Sequence, residues 1–263
     1  MIFRLARLQI KSHRLRTGFV AVAVVLTAVL YMTVISFAYC ALDSVQLSKM
    51  LASGSDLHAS IFDTGYSISG EALRAEIQSA PEVSETFLMS FEPVYWVEPA
   101  EANSVEQGFG MLFVDREKVL PHLFMTLAEG RFPQGLDEIL LCREAFPTLS
   151  IGDQVRFFIK SVKVAEPLER TYTVSGFYHS DADVPPPAVA LYGEHVAGEL
   201  ELSVMVQFYS SFGIDRRLDA VVERLSQWET PGGEQRTQIN YAFVAADLGS
   251  LLQPDIVLMI LLV

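Results

Sequence analysis

The longest apolar stretch runs from Gly18 to Leu42 without a charged side chain, and its polar members are Thr27, Thr33 and Ser36. As a helix it would extend roughly 37 Å at ~1.5 Å per residue, enough to cross a ~30 Å hydrocarbon core with some tilt. The three hydroxyls can bond back to the preceding turn, and Tyr39 falls where an aromatic at the outer headgroup level is expected. Ahead of this run, Arg4, Arg7, Lys11 and Arg14 recur at i, i+3, i+7 and i+10, one narrow stripe on a helix otherwise surfaced by Ile2, Phe3, Leu5, Ala6, Leu8 and Ile10. That pattern predicts an interfacial helix along the inner leaflet, and the same charges equally serve to set topology. With Arg16 they precede the span and Asp43 follows it, so the N-terminus is expected in the cytoplasm and the rest outside. Ser36-Phe37-Ala38 offers small residues for signal cleavage, but a signal peptide's apolar core is only ~7–15 residues, so a retained anchor is expected. At the other end Ile256–Val263 is a second apolar run, only ~12 Å long as a helix. It reads as the opening of a second transmembrane helix, cut short; a buried C-terminal strand is the alternative.

Between the apolar runs the periodicity alternates between helix and strand. Asp215 can cap a helix carrying Leu218, Val221, Val222, Leu225 and Trp228 on one face, stopped by Pro231-Gly232-Gly233. A weaker helix spans Glu71 to Ser79, with Leu73, Ile77 and Ala80 on one side and Pro81 at its end; a third begins near Asp115 and is limited by Pro121. Strand patterns are more numerous: Val155, Phe157 and Ile159 in alternation, Glu169–Tyr178, Gly108–Val114, Pro93–Val97, Val204–Tyr209 and Asn240–Val244. The expected fold is an α+β domain, a mixed sheet with a few helices and room for two lobes, with Pro185-Pro186-Pro187 as a rigid junction between them. The expected layout is a basic segment 1–16, a transmembrane helix 17–42, an extracytoplasmic domain 43–254 and the start of a second span at 255–263.

Composition sharpens this layout. Of 263 residues 51% are hydrophobic, too many for a disordered chain. The net charge is −13, and all 32 acidic residues fall from Asp43 onward, which argues against a nucleic-acid partner. That acidic body could steer cationic peptides, though solubility is the simpler reading. Cys40 and Cys142 are too few for a disulfide scaffold; they are read as two buried free thiols, with a single bridge as the alternative.

Chemistry-bearing motifs are sparse. None of Lys11, Lys49, Lys118, Lys160 or Lys163 follows a glycine, so the chain has no phosphate loop. Gly65-Tyr-Ser-Ile-Ser69 fails as a nucleophile elbow at its fifth position. His179, Asp181 and Asp183 would share one side of an extended segment and form the best metal candidate, but they precede three prolines and read as a solvated turn. His58, His122 and His195 are scattered and read as ordinary surface or hydrogen-bonded histidines. No cofactor and no catalytic or metal-binding residue is assigned, and the chain is expected not to be an enzyme.

From Leu127 onward one series of motifs is ordered. Leu127-Ala-Glu129-Gly130-Arg131-Phe-Pro133 is followed by Asp137-Glu138-Ile139-Leu-Leu141, then Ile151-Gly152-Asp153-Gln-Val155 and Tyr172-Thr-Val174-Ser-Gly176-Phe177. The series resembles the extracytoplasmic core domain of MacB/FtsX-like ABC-transporter permeases, over about 50 residues. The glycines permit turns or close approach, and Asp153 can bond backbone at a strand start. The resemblance implies a permease subunit in a bacterial inner membrane, working with a cytoplasmic ABC ATPase and a second permease copy. In that family four spans are usual, so further spans and the ATPase-contacting element would be missing from this chain. The competing reading is the external sensor domain of a two-span receptor or histidine kinase, which matches the topology but leaves the motif series unexplained.

Overall fold

The computed structural model describes residues 14–98, 110–161, 163–164, 166–183, 185–193, 198–231 and 236–251. Arg4, Arg7, Lys11, His195 and the apolar run 256–263 lie outside the described residues, while Arg14 opens the first helix. The chain divides into two compact units, 1–47 and 48–263.

Helix α1 runs Arg14–Ser53, past the expected limit at Leu42. Within it Gly18–Phe37 is long and apolar enough to cross a membrane by length and composition, and none of that window is buried. The hydroxyls of Thr27 and Thr33 donate to the carbonyls of Ala23 and Val29, both at 2.8 Å, so neither is left unbonded in an apolar stretch. The helix outlasts the apolar run because residues 43–53 contain no glycine or proline. Gly54, at φ +72°, then takes the left-handed conformation that ends it.

Among the described residues the second unit carries ten strands: β1 Ala59–Phe62, β2 Val83–Glu98, β3 Gly110–Val114, β4 Met125–Gly130, β5 Glu138–Cys142, β6 Gln154–Ile159, β7 Leu168–Ser180, β8 Ala188–Leu191, β9 Ser203–Phe208 and β10 Thr237–Ile239. They form one mixed sheet in the order β10-β1-β9-β2-β3-β8-β5-β7-β4. The β3/β8 and β5/β7 pairs are parallel and the others antiparallel. Because β6 pairs with both β2 and β7, strands β2-β3-β8-β5-β7-β6 close into a ring. Met111, Phe113, Ile139, Leu141, Val155, Phe157, Tyr172 and Val174 are buried together in its core. The 16-residue β2 serves both parts of the sheet: its first half pairs β9 and its second half β6, with a register shift at Val94/Trp96.

Helices α2 (Gly70–Gln78), α3 (Ile214–Leu225) and α4 (Tyr241–Leu251) complete the α+β unit. Ser69 caps α2, its hydroxyl accepting from Ala72 N–H at 3.3 Å, and Leu73 and Ile77 are buried. In α3 Leu218, Val221 and Leu225 face the core as the periodicity requires. The cap is Gly213 at φ 68° rather than Asp215, which sits inside the first turn, where its charge favours the helix dipole. Leu73, Ile77, Leu218, Val221 and Leu225 join Val204, Val206 and Phe208 in a second core, and a third lies under Leu120, Leu123 and Tyr178.

Three local expectations are corrected. Asn240–Val244 is the start of α4, not a strand: Asn240 Oδ1 accepts from Phe243 N–H at 3.2 Å, a cap that outweighs the β-like composition of the segment. The helix expected near Asp115 is a pair of 3₁₀ turns, Glu117–Val119 and Pro121–Leu123, because Pro121 leaves no room for a longer one. Pro185–Pro187 joins no lobes: it leads into β8 in the middle of the sheet, and the two lobes reduce to separate cores on one sheet.

Candidate functional site

The motif residues converge on the corner where β4, β5 and β7 meet. Gly130 and Gly176 are register partners across β4 and β7. A Cβ on Gly130, itself at φ +76°, would lie 2.4 Å from Ser175 O; one on Gly176 would lie 2.5 Å from Glu129 O. Each glycine thus makes room for the other strand's backbone, and Arg131 N–H donates to Ser175 O at 3.1 Å to hold the contact.

Charged side chains of the motif lie around this contact. Arg131 pairs with Glu138 through two bonds, 2.7 and 2.5 Å. Glu138 also accepts from Gln134 N–H at 2.8 Å and Gly135 N–H at 3.2 Å, so it closes the turn that contains Pro133. Arg131 and these amides hold the Glu138 carboxyl down at about 2. Glu129 pairs with Arg143 at 2.6 Å, and the Arg143 guanidinium lies 3.4 Å from the centre of the Phe177 ring.

The third motif piece docks on the same strand. Gly152 adopts φ +95°, and Asp153 Oδ2 accepts from Ser150 N–H at 2.8 Å. Gly152 N–H donates to Val174 O and Val174 N–H to Asp153 O, both at 2.9 Å. Ile139, Tyr172 and Val174 point into the ring's core, and burial pushes the Tyr172 hydroxyl far above its ordinary value. The charged groups of the corner are spent on each other and on backbone, while the buried Tyr172 hydroxyl has no hydrogen-bond partner among the described residues.

The other sequence candidates separate. His179 pairs with Glu144 at 2.5 Å rather than with Asp181 or Asp183. Among the described residues no three His, Cys, Asp or Glu side chains are grouped to hold a metal. Cys40 and Cys142 are both free, Cys40 exposed and Cys142 buried. The Cys142 thiol donates to Glu144 at 3.1 Å, and burial pushes it up to about 11, which keeps it protonated. Gly65 ends a 3₁₀ turn, and Ser67 bonds Trp228 O at 2.9 Å.

Other features carry no local sequence signal. A groove of about 540 Å³ is lined by Leu120, Pro121, Phe124, Met125, Thr126 and Asp181, with Phe124 in the left-handed region at φ 56°. Glu92 is buried within β2; its Oε1 accepts from Ser90 Oγ at 2.9 Å and Glu201 N–H at 3.0 Å, and burial raises its carboxyl. His58, Ser211 and Asp247 join across three chain-distant segments, His58 Nε2 lying 2.9 Å from Ser211 Oγ and the Ser211 hydroxyl 2.5 Å from Asp247 Oδ2. Their separation in sequence hides such a constellation from any spacing rule.

No protein-family model matches the chain, and no curated protein does. Among solved structures, the chain is similar to the extracellular domain of the noncanonic ABC-type transporter YknZ from Gram-positive bacteria. The TM-score is 0.43 at 10% identity, over 69% of this chain and 98% of that one. It is also similar to a domain of a putative permease protein from Porphyromonas gingivalis, with TM-score 0.45 and 10% identity over 71% of this chain and 90% of that one.

Proposed function

We propose that this chain is a permease subunit of a bacterial ABC transporter of the MacB/FtsX-like type, anchored in the inner membrane with its second unit outside the cytoplasm. One observation carries the reading. The four motif pieces that occur in order along the sequence, Glu129–Pro133, Glu138–Ile139, Gly152–Asp153 and Tyr172–Gly176, pack as a single corner of the fold. Scattered coincidences of sequence would have no reason to meet. The helix with an apolar window at Gly18–Phe37 supports the membrane assignment.

In this role the chain performs no bond chemistry. ATP is hydrolysed by a separate cytoplasmic subunit, a second permease copy completes the pair, and the membrane helices pass the resulting motion to the external unit for export, lipoprotein handling or control of a partner. The test is affinity purification of the full-length protein from its native membranes. A Walker-motif ATPase should co-purify, and ATP turnover should be lost when that subunit is removed. Turnover by this chain alone, or an autophosphorylating kinase domain on the same polypeptide, would contradict the proposal.

A further inference from the structure

Beside β1 lies a buried polar system for which transport alone supplies no role. His58, five residues beyond the end of α1, is buried, with Phe243 of α4 edge-on at 4.9 Å and Phe208 edge-on at 5.9 Å. Its Nδ1 has two neighbours of opposite kind: Phe208 N–H donates to it at 3.2 Å, and Gln207 Oε1, an acceptor, lies 3.0 Å away. A ring nitrogen has either a lone pair or a proton, so it can satisfy only one of them at a time. On the far side Nε2 meets Ser211 Oγ, whose hydroxyl donates to Asp247 on α4. The same segment is tied to the start of α4 twice more: Asn240 N–H donates to His58 O at 2.9 Å and Asn240 Nδ2 to Ser55 O at 3.0 Å.

We infer that His58 is a proton-operated joint between the segment leaving α1 and helix α4. In the neutral state Nδ1 holds the Phe208 amide of β9, and Nε2–H runs through Ser211 to the Asp247 carboxylate. On protonation Nδ1 becomes a donor and takes Gln207 Oε1. The Phe208 amide loses its acceptor, and His58⁺, Ser211 and Asp247⁻ become a charged chain. The states exchange one hydrogen bond for another, so the environment decides between them. Asp247 of α4 and Asp56 beside β1 favour the charged ring, while burial and Arg217 of α3 oppose it. Burial is the largest influence and holds the imidazole below its ordinary value, so the joint works on the acid side of neutrality. The inference rests on the geometry of the second unit and does not depend on the transport reading.

The test uses the full chain in nanodiscs, with His58 followed by ring-nitrogen NMR from pH 7.5 to 5 and backbone amides by hydrogen exchange corrected for intrinsic pH dependence. His58 should titrate below 6.5, and protection of the Phe208 amide should fall roughly tenfold with the same midpoint, the loss of about one hydrogen bond. Asp247→Asn keeps an acceptor for Ser211 but removes the charge, and should move the midpoint lower. Gln207→Met removes the alternative acceptor and should also lower it, which provides a second variant should the first fold poorly. Phe208 protection that stays constant while His58 titrates, a midpoint that neither variant moves, or a His58 that remains neutral until the protein unfolds would each overturn the inference.

Discussion

At the β4–β7 corner two glycines bring backbone against backbone while the charged side chains around them remain in contact with water; beside β1 a histidine, a serine and an aspartate meet largely out of solvent. The first corner is fixed by excluded volume, which has no alternative arrangement to move to. The second is fixed by hydrogen bonds whose donors and acceptors can trade places when one proton arrives. This difference orders the expected effects of mutation.

The largest effect is expected at Gly176. A Cβ there meets Glu129 O at 2.5 Å and Arg131 N at 2.9 Å, backbone atoms that cannot move aside without parting β4 from β7. Gly176→Ala should cost more than about 3 kcal/mol, read as a fall in thermal midpoint of roughly 10 °C or as failure to fold. Ser211→Ala comes next, because it strips the bridge between His58 and Asp247 and removes the hydrogen-bond partner of the buried His58 Nε2; about 1–3 kcal/mol is expected in a denaturant titration. Gly152→Ala should cost less, about 1 kcal/mol, because only its φ of +95° is strained and no atom stands within 4 Å of the added methyl.

The smallest effect concerns pH. Glu138 is held at about 2 against an ordinary value of 4.5. Its stabilising contribution is therefore complete above 4.5 and lost as pH falls toward 2. Glu138→Gln should flatten the acid limb of the stability profile, and high salt should shrink the difference, since the pair is partly exposed. The histidines give a sharper contrast. His122, bonded to Asp56 at 2.7 Å, is raised, so its contribution is present below 6.5 and fades as pH rises through the raised value. His58 is lowered, so acidification through 6.5 weakens the fold. His122→Gln and His58→Gln should change the profile in opposite directions.

Much of the first corner could be read along the chain because its pieces are local: a glycine turn, an Asx-type bond at Asp153 and alternating β6 residues each act within a few positions. Helices α2 and α3 were legible for the same reason, their apolar faces recurring at helical spacing. Strands β1 and β8, four residues each, are too short for periodicity to register. Tyr241-Ala-Phe-Val244 has strand-like side chains, and only the Asn240 cap turns it into a helix. Closure of the β2-to-β6 ring and the assembly of residues 58, 207, 211 and 247 depend on contacts between distant segments, which no window of sequence contains.

The proposed topology is tested most directly by labelling. In a chain with Cys40 and Cys142 replaced by serine, Phe212→Cys places one thiol on a strongly exposed position of the second unit. A membrane-impermeant maleimide applied to intact spheroplasts should label it fully. Labelling that appears only after the membrane is broken would put the second unit in the cytoplasm and contradict the proposed role.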